Sequence, residues 1–144
     1  MKRLLLISCS ATKREGISLP AVRRYDGPKY RVLRKALAEG IEPPVIRILS
    51  AAYGIIKPEH PTAHYDIPLS RGRADELHFD GYWRGDFDAR TLEADEVFVM
   101  AGGLYLELLL SWRRPWAGRW LIASGAPGER LRQLGLWLRQ GGAS

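Results

Sequence analysis

An α/β domain with a mostly parallel sheet is the fold class this sequence predicts, and three observations predict it. Four short apolar runs, Arg3–Ser8 (RLLLIS), Val45–Ser50 (VIRILS), residues 97–101 (VFVMA) and residues 119–124 (RWLIAS), read as strands buried on both faces. Segments with a helical apolar period lie between and after them. No repeat, low-complexity segment or interdomain linker divides the 144 residues, so one domain is expected. Strands alternating with helices imply three layers: a four-stranded, mostly parallel sheet with helices on both faces.

The elements follow in order. After the first strand comes the polar turn Ser8-Cys9-Ser10, and residues 14–27 show no clear period and read as a loop. Pro28 supplies a first helical position and Gly40 a stop, which predicts a helix over residues 28–39. Val32, Leu33, Ala36 and Leu37 make its apolar stripe, leaving Lys29, Arg31, Arg34 and Lys35 largely outward. The turn at Pro43-Pro44 leads into the second strand. Residues 74–79 read as a helical turn and residues 81–87 as an aromatic-rich loop, where Trp83 is a candidate for stacking or for a lid. Trp112, Trp116, Trp120 and Trp137 read as core or interface material. Gly102-Gly103 opens a strongly apolar helix to about Trp112. A Gly-Ala-Pro-Gly turn opens the last helix, through about Gln140, with Leu131, Leu134 and Leu138 on one side.

Composition narrows the function classes. The hydrophobic fraction of 46% and charged fraction of 26% are those of an ordinary globular protein, long enough to bury a core without a metal or disulfide staple. No apolar run approaches the ~20 residues that span a bilayer, and MKRLLLIS is too short for a signal peptide. A cytoplasmic protein with no membrane partner is therefore expected. The single Cys9 fits a reducing compartment. The net charge of +6 is uneven, because the first 35 residues hold ten Lys and Arg against two acids. Such a concentration attracts polyanions, with Arg23, Arg24, Arg31 and Arg34 as the candidate patch; the alternative is a solvated helix face.

The most informative stretch is residues 48–70, ILSAAYGIIKPEHPTAHYDIPLS. It is too polar and too long for a mere connection, and long ordered loops inside compact domains are usually functional. Pro58, Pro61 and Pro68 stiffen it, and Gly54 lets the chain turn directly after Tyr53. All four strand candidates end in small or polar residues, so a ligand can approach the backbone where open parallel sheets bind ligands, at a topological switch point. The glycine turns also precede helices, whose free N–H groups suit phosphate or carboxylate.

Two pieces carry a family resemblance: LSAAYGII-P followed by HYDIPLS, and the amino-terminal ISCSATK. They resemble a block of small bacterial and phage domains of unassigned activity, and more distantly the YaaA peroxide-stress proteins. They are also similar to the domain of archaeosine synthase, a relative of the tRNA-guanine transglycosylases. The resemblance covers about the first half of the chain. It implies a uracil-DNA-glycosylase-like fold and a nucleic-acid or nucleobase context.

Individual residues then take candidate roles. Asp66 can act as general base or hydrogen-bond a base edge or ribose hydroxyl, or else cap its loop. His64 can transfer a proton near neutral pH, or serve only as a surface hydrogen-bonding group. Tyr53 and Tyr65 offer aromatic faces, with Tyr53 either stacking on a base or closing the turn at Gly54. Ser8, Cys9, Ser10 and Lys13 occupy the first strand's exit. Lys13 can neutralise phosphate or, if desolvated, attack an electrophilic carbon; it can equally be an exposed loop lysine. Cys9 is a thiolate candidate or a small buried filler. Gly102 and Gly103 form a backbone wall or pack tightly. No cofactor motif is present, and His60, His64 and His78 lack metal-ligand spacing, so no metal is expected. Two function classes result: a base-processing or glycosidic-bond enzyme acting on a nucleobase, nucleotide or nucleic acid, and a noncatalytic DNA- or RNA-binding module. The sequence leaves the oligomeric state open.

Overall fold

The computed structural model describes residues 1–16, 18–115 and 118–140. Its elements run β1 (Arg3–Ser8), β2 (Leu19–Pro20), α1 (Ala21–Arg24), α2 (Pro28–Ala38), β3 (Val45–Ser50), β4 (Gly54–Ile56), β5 (Pro61–Thr62), α3 (Arg71–Asp80), α4 (Arg84–Glu93), β6 (Glu96–Met100), α5 (Gly103–Trp112), β7 (Arg119–Ile122) and α6 (Pro127–Gln140). The main sheet has the order β4-β3-β1-β6-β7, and β2 and β5 form a separate two-stranded ribbon. Strand β1 pairs in parallel with β3 (Leu4 opposite Val45) and with β6 (Leu4 opposite Val97). Strand β7 continues the parallel half beside β6.

Because successive strand side chains point to opposite faces, the run RLLLIS serves two cores at once. Leu5 and Ile7 pack with Tyr30 and Leu33 of α2 and with Leu134 and Leu138 of α6. Leu4 and Leu6 pack with Phe87 of α4 and with Leu109 and Trp112 of α5. Helices therefore cover both faces, as the apolar runs predict.

The sheet has five strands, not four. The extra one, β4, is antiparallel to β3 at the sheet edge and comes from the stretch expected to be loop. Its three residues GII are too short for a period to show, and Gly54 makes the return possible with φ +79°. Pro61 and Thr62 also leave the loop to pair with Pro20 and Leu19. Residues 71–93 hold two helices, α3 and α4, where a turn and an aromatic loop were expected. Helix α3 has apolar residues on no single side, so no helical period was visible; Ser70 caps it, accepting the Arg73 N–H at 3.1 Å.

Trp83 is neither a lid nor an exposed stacking platform. It is 4% exposed, with its ring centroid 4.4 Å from that of Trp112. Trp112 and Trp137 are core, as expected, Trp120 is partly buried, and Trp116 lies outside the described residues. No described helix is long and apolar enough to cross a membrane.

Gly54, at the start of edge strand β4, packs against this second core. A Cβ at that position would stand 2.5 Å from the Trp83 ring, on a backbone that L-residues rarely adopt. Left-handed strain and overpacking together predict that Gly54→Ala costs roughly 2–5 kcal/mol. Urea unfolding checks this: a change within about 0.5 kcal/mol, the level of an ordinary surface substitution, would contradict the packing described.

Candidate ligand-binding site

The chain passes from β1 through α2 to β3 on one side, then crosses back to β6 on the other side of β1. The reversal leaves a gap above the carboxyl ends of β1 and β6, the position at which open α/β sheets bind ligands. A hollow of about 370 Å³ occupies it, within the roughly 300–1,000 Å³ of small-molecule sites. Its walls are Cys9, Ser10 and Ala11 from the β1 exit, and Met100, Ala101 and Gly102 from the β6 exit. The first turns of α2 (Pro28, Lys29, with Gly27 before them) and α6 (Pro127, Arg130, Leu131) complete it.

Glycine lets these walls meet. A Cβ on Gly27 would lie 2.5 Å from Ser10 Oγ, and one on Gly102 would lie 2.8 Å from Arg130 Nη1. Gly27 and Gly102 are also the N-cap positions of α2 and α5, and neither offers a side-chain cap, so first-turn N–H groups are left for other partners. Two cations stand in the same hollow. Lys29 Nζ donates to Ser8 Oγ at 2.6 Å, and Arg130 Nε donates to the Gly125 carbonyl at 2.9 Å. Burial pulls the Lys29 ammonium down to about 8, with the nearby Cys9 thiol acting weakly in the opposite sense. Cys9 is 9% exposed, with Sγ 3.3 Å from the Tyr105 hydroxyl.

A second cluster lies at the exit of β3. Ser50 Oγ accepts from the Tyr25 hydroxyl at 3.0 Å and from the N–H groups of Ala52 and Tyr53, both at 3.2 Å. Tyr65 Oη bonds to both Ser50 Oγ and Tyr25 Oη. Burial pushes Tyr25 up to about 12 and raises Tyr65, Tyr30 and Tyr105 as well, so all four stay neutral hydroxyls at pH 7. Lys13 Nζ sits 4.6 Å from the centre of the Tyr65 ring and donates to the Ala11 carbonyl. The Tyr53 hydroxyl accepts the Ala63 N–H at 3.1 Å, and its ring meets Tyr65 and His60 edge-on, so it braces the loop.

The sequence-predicted residues thus divide. Cys9, Ser10 and Gly102 line the hollow, with Ser8 directly behind Lys29 and Gly103 opening α5. Tyr53, Gly54, Tyr65 and Lys13 belong to the β3-exit cluster or its turn. Asp66 and His64 are exposed, line neither hollow described here, and make no hydrogen bond, ion pair or ring contact among the described residues. The geometry gives neither a partner. Two hollow-lining cations, Lys29 and Arg130, were missed as site residues. Lys29 falls on the face of α2 assigned to solvent, but its first-turn position beside the β1 exit turns it inward. The signal available was its place directly after Gly27-Pro28 at a helix start.

The basic patch is also redistributed. Arg24 is fully buried: its guanidinium donates to the carbonyls of Arg14 (2.6 Å), Gly16 (2.9 Å) and Thr62 (2.9 Å). Arg34 donates to the Val22 and Tyr25 carbonyls and to Asp26, which Arg14 and Arg31 also approach at 3.6 and 3.7 Å. Arg23 and Arg31 remain on the surface. Among the described residues no cluster of three or more His, Cys, Asp or Glu can hold a metal ion.

A larger hollow of about 510 Å³ lies at the opposite, amino-terminal edge of the sheet. Its polar groups serve the fold: Arg3 donates to the Trp137 and Leu138 carbonyls, and Glu96 accepts the Trp137 indole N–H at 2.7 Å. The smaller hollow is the better ligand site because it lies at the switch point and its cations face no carboxylate among its lining residues.

These features define an α/β domain with a cationic, glycine-walled crevice at its strand exits. Residues 4–134 match DUF6884, a family of unknown function, and the chain belongs to that family. No curated protein and no solved structure matches it.

The buried Arg24 gives a direct test of its structural role. Removing a buried guanidinium that donates to three backbone carbonyls, that of buried Thr62 among them, predicts that Arg24→Ala costs roughly 1–3 kcal/mol in urea unfolding. A loss below about 0.5 kcal/mol, typical of a surface cation, would return Arg24 to the surface patch.

Proposed function

We propose that the protein is directed at a nucleotide, either free or as a unit of nucleic acid, and binds its phosphate in the hollow between the β1 and β6 exits. The observation that carries this reading is the pair Lys29 and Arg130 on the wall of one crevice, with uncapped helix N-termini around it. Charge-assisted hydrogen bonds from a fork-shaped guanidinium and an ammonium suit a tetrahedral anion, and free first-turn N–H groups add to them. Shape supports it too: the volume suits a mononucleotide better than a polymer. The resemblance of the Tyr-Asp block and the ISCSATK turn to the archaeosine synthase domain points the same way, as does its implication of a uracil-DNA-glycosylase-like fold. A base-processing or glycosidic-bond reaction is the chemistry that resemblance favours. Asp66 and His64 would take part only if a ligand drew their loop inward.

A second reading, a nucleic-acid-binding module, is favoured by the exposed Arg23 and Arg31 beside Arg14. It requires affinity that falls steeply with salt and depends on those arginines.

Calorimetric titration separates the cases. Nucleoside monophosphates bind and the matching nucleosides bind at least roughly tenfold more weakly, since the phosphate contacts are charge-assisted. Arg130→Ala removes that difference. Affinity falls as pH rises through about 8, because Lys29 loses its positive charge there. Equal binding of nucleoside and nucleotide, or an unchanged preference in Arg130→Ala, would defeat the assignment.

A further inference from the structure

The sequence offers Lys13 as an amine that could attack carbon, but the desolvated amine of the crevice is Lys29. Lys13 is partly exposed and lies over the Tyr65 ring, outside the hollow, whereas Lys29 forms part of its wall. The groups facing Lys29 are Ser8 and Cys9 from the β1 exit, the Tyr30 ring of its own helix at 6.0 Å, and Arg130 of α6 within the same hollow. Tyr105 of α5 reaches it only through Cys9. None of these is a carboxylate. A lysine taken out of water usually has a carboxylate partner, and without one burial favours the neutral, nucleophilic amine. Here the single hydrogen bond to Ser8 Oγ fixes Nζ and leaves its remaining substituent positions free to meet a ligand.

We propose that Lys29 is a nucleophile that captures the aldehyde carbon of an open-chain phosphorylated sugar bound in this hollow. The proposal rests on the phosphate-directed reading above and names the part of the ligand that reacts. Arg130 holds the phosphate. The Nζ lone pair attacks the carbonyl carbon, the C=O π bond breaks, and a proton moves from nitrogen to oxygen to give the carbinolamine. One further proton lets the hydroxyl leave as water, and a protonated imine remains. The Cys9 thiol, which lines the crevice, supplies and recovers that proton. Return of water reverses the sequence, so no oxidant or reductant is consumed. The depressed basicity of Lys29 supports this role, since an amine near 8 keeps on the order of a tenth of its molecules neutral at pH 7.

Ribose 5-phosphate with cyanoborohydride tests the proposal on the full chain, since reduction fixes an imine as a stable adduct that intact mass and peptide mapping locate. One adduct is expected at Lys29, forming roughly tenfold faster than at Lys13 or any other lysine. Its rate rises with pH through about 8, and inorganic phosphate slows it in the unaltered protein. Lys29→Arg abolishes the adduct; Lys13→Ala, outside the hollow, leaves it unchanged. Labelling spread evenly over lysines and unaffected by phosphate, with monophosphate binding intact, overturns the nucleophile and leaves the phosphate site standing. Absence of both adduct and monophosphate binding overturns the two together. The phosphate-competition arm needs no variant, so a misfolded Lys29→Arg protein does not blunt the test.

Discussion

The structure depends on a single strand. Strand β1 is hydrogen-bonded on both sides, and its alternating leucines and isoleucine supply both cores. Only a strand in this position can separate two groups of connections that run in opposite directions, and that separation opens the crevice above its last residues. The backbone there is held from several sides: the Cys9 N–H donates to the Leu49 carbonyl at 2.9 Å, and the Tyr30 hydroxyl donates to the Ser8 carbonyl at 2.9 Å. The crevice-lining Cys9, and Ser8 that holds Lys29, are therefore fixed by the same contacts that complete the core.

Arginine has an unusual share in bracing the site. Arg24, Arg34 and Arg73 each donate to two or more backbone carbonyls, in segments where no strand or helix partner is available. Arg73 ties the first turn of α3 to the Ala51 and Ala52 carbonyls at 2.7 and 2.6 Å, just where β3 ends. A buried carbonyl without a donor costs about as much as a lost hydrogen bond. A planar guanidinium with five donors satisfies several at once. Arg24 and Arg34 of the basic first 35 residues thus hold irregular chain in place, while Lys29 and Arg130 line the crevice and Arg23 and Arg31 stay on the surface.

How much of this was legible in the sequence follows from the kind of signal each part carries. The four main strands and helices α2, α5 and α6 were readable because continuous apolar runs and punctuating Pro and Gly residues are local. The small residues at the strand exits also pointed to the edge of the sheet where the crevice lies. Strand β4 and the β2–β5 ribbon were hidden, since two or three residues carry no period and their pairing is set by partners far along the chain. Helices α3 and α4 were obscured because neither carries a clear apolar stripe: α3 has no apolar side, and in α4 only Phe87 and Thr91 are buried. Placement in the fold was not legible from chemical type alone. Asp66 and His64 are exposed and make no hydrogen bond or ion pair among the described residues, whereas Lys29 and Arg130 share one hollow only through the meeting of two helix starts distant in sequence.

The most direct measurement of the central claim is an amide chemical-shift titration of the isotope-labelled protein with a nucleoside monophosphate. The account predicts shifts concentrated at residues 8–11, 27–31, 102–105 and 127–131, the four segments that converge on the crevice. Shifts confined to residues 63–67, or to the hollow around Arg3 and Glu96, would contradict it.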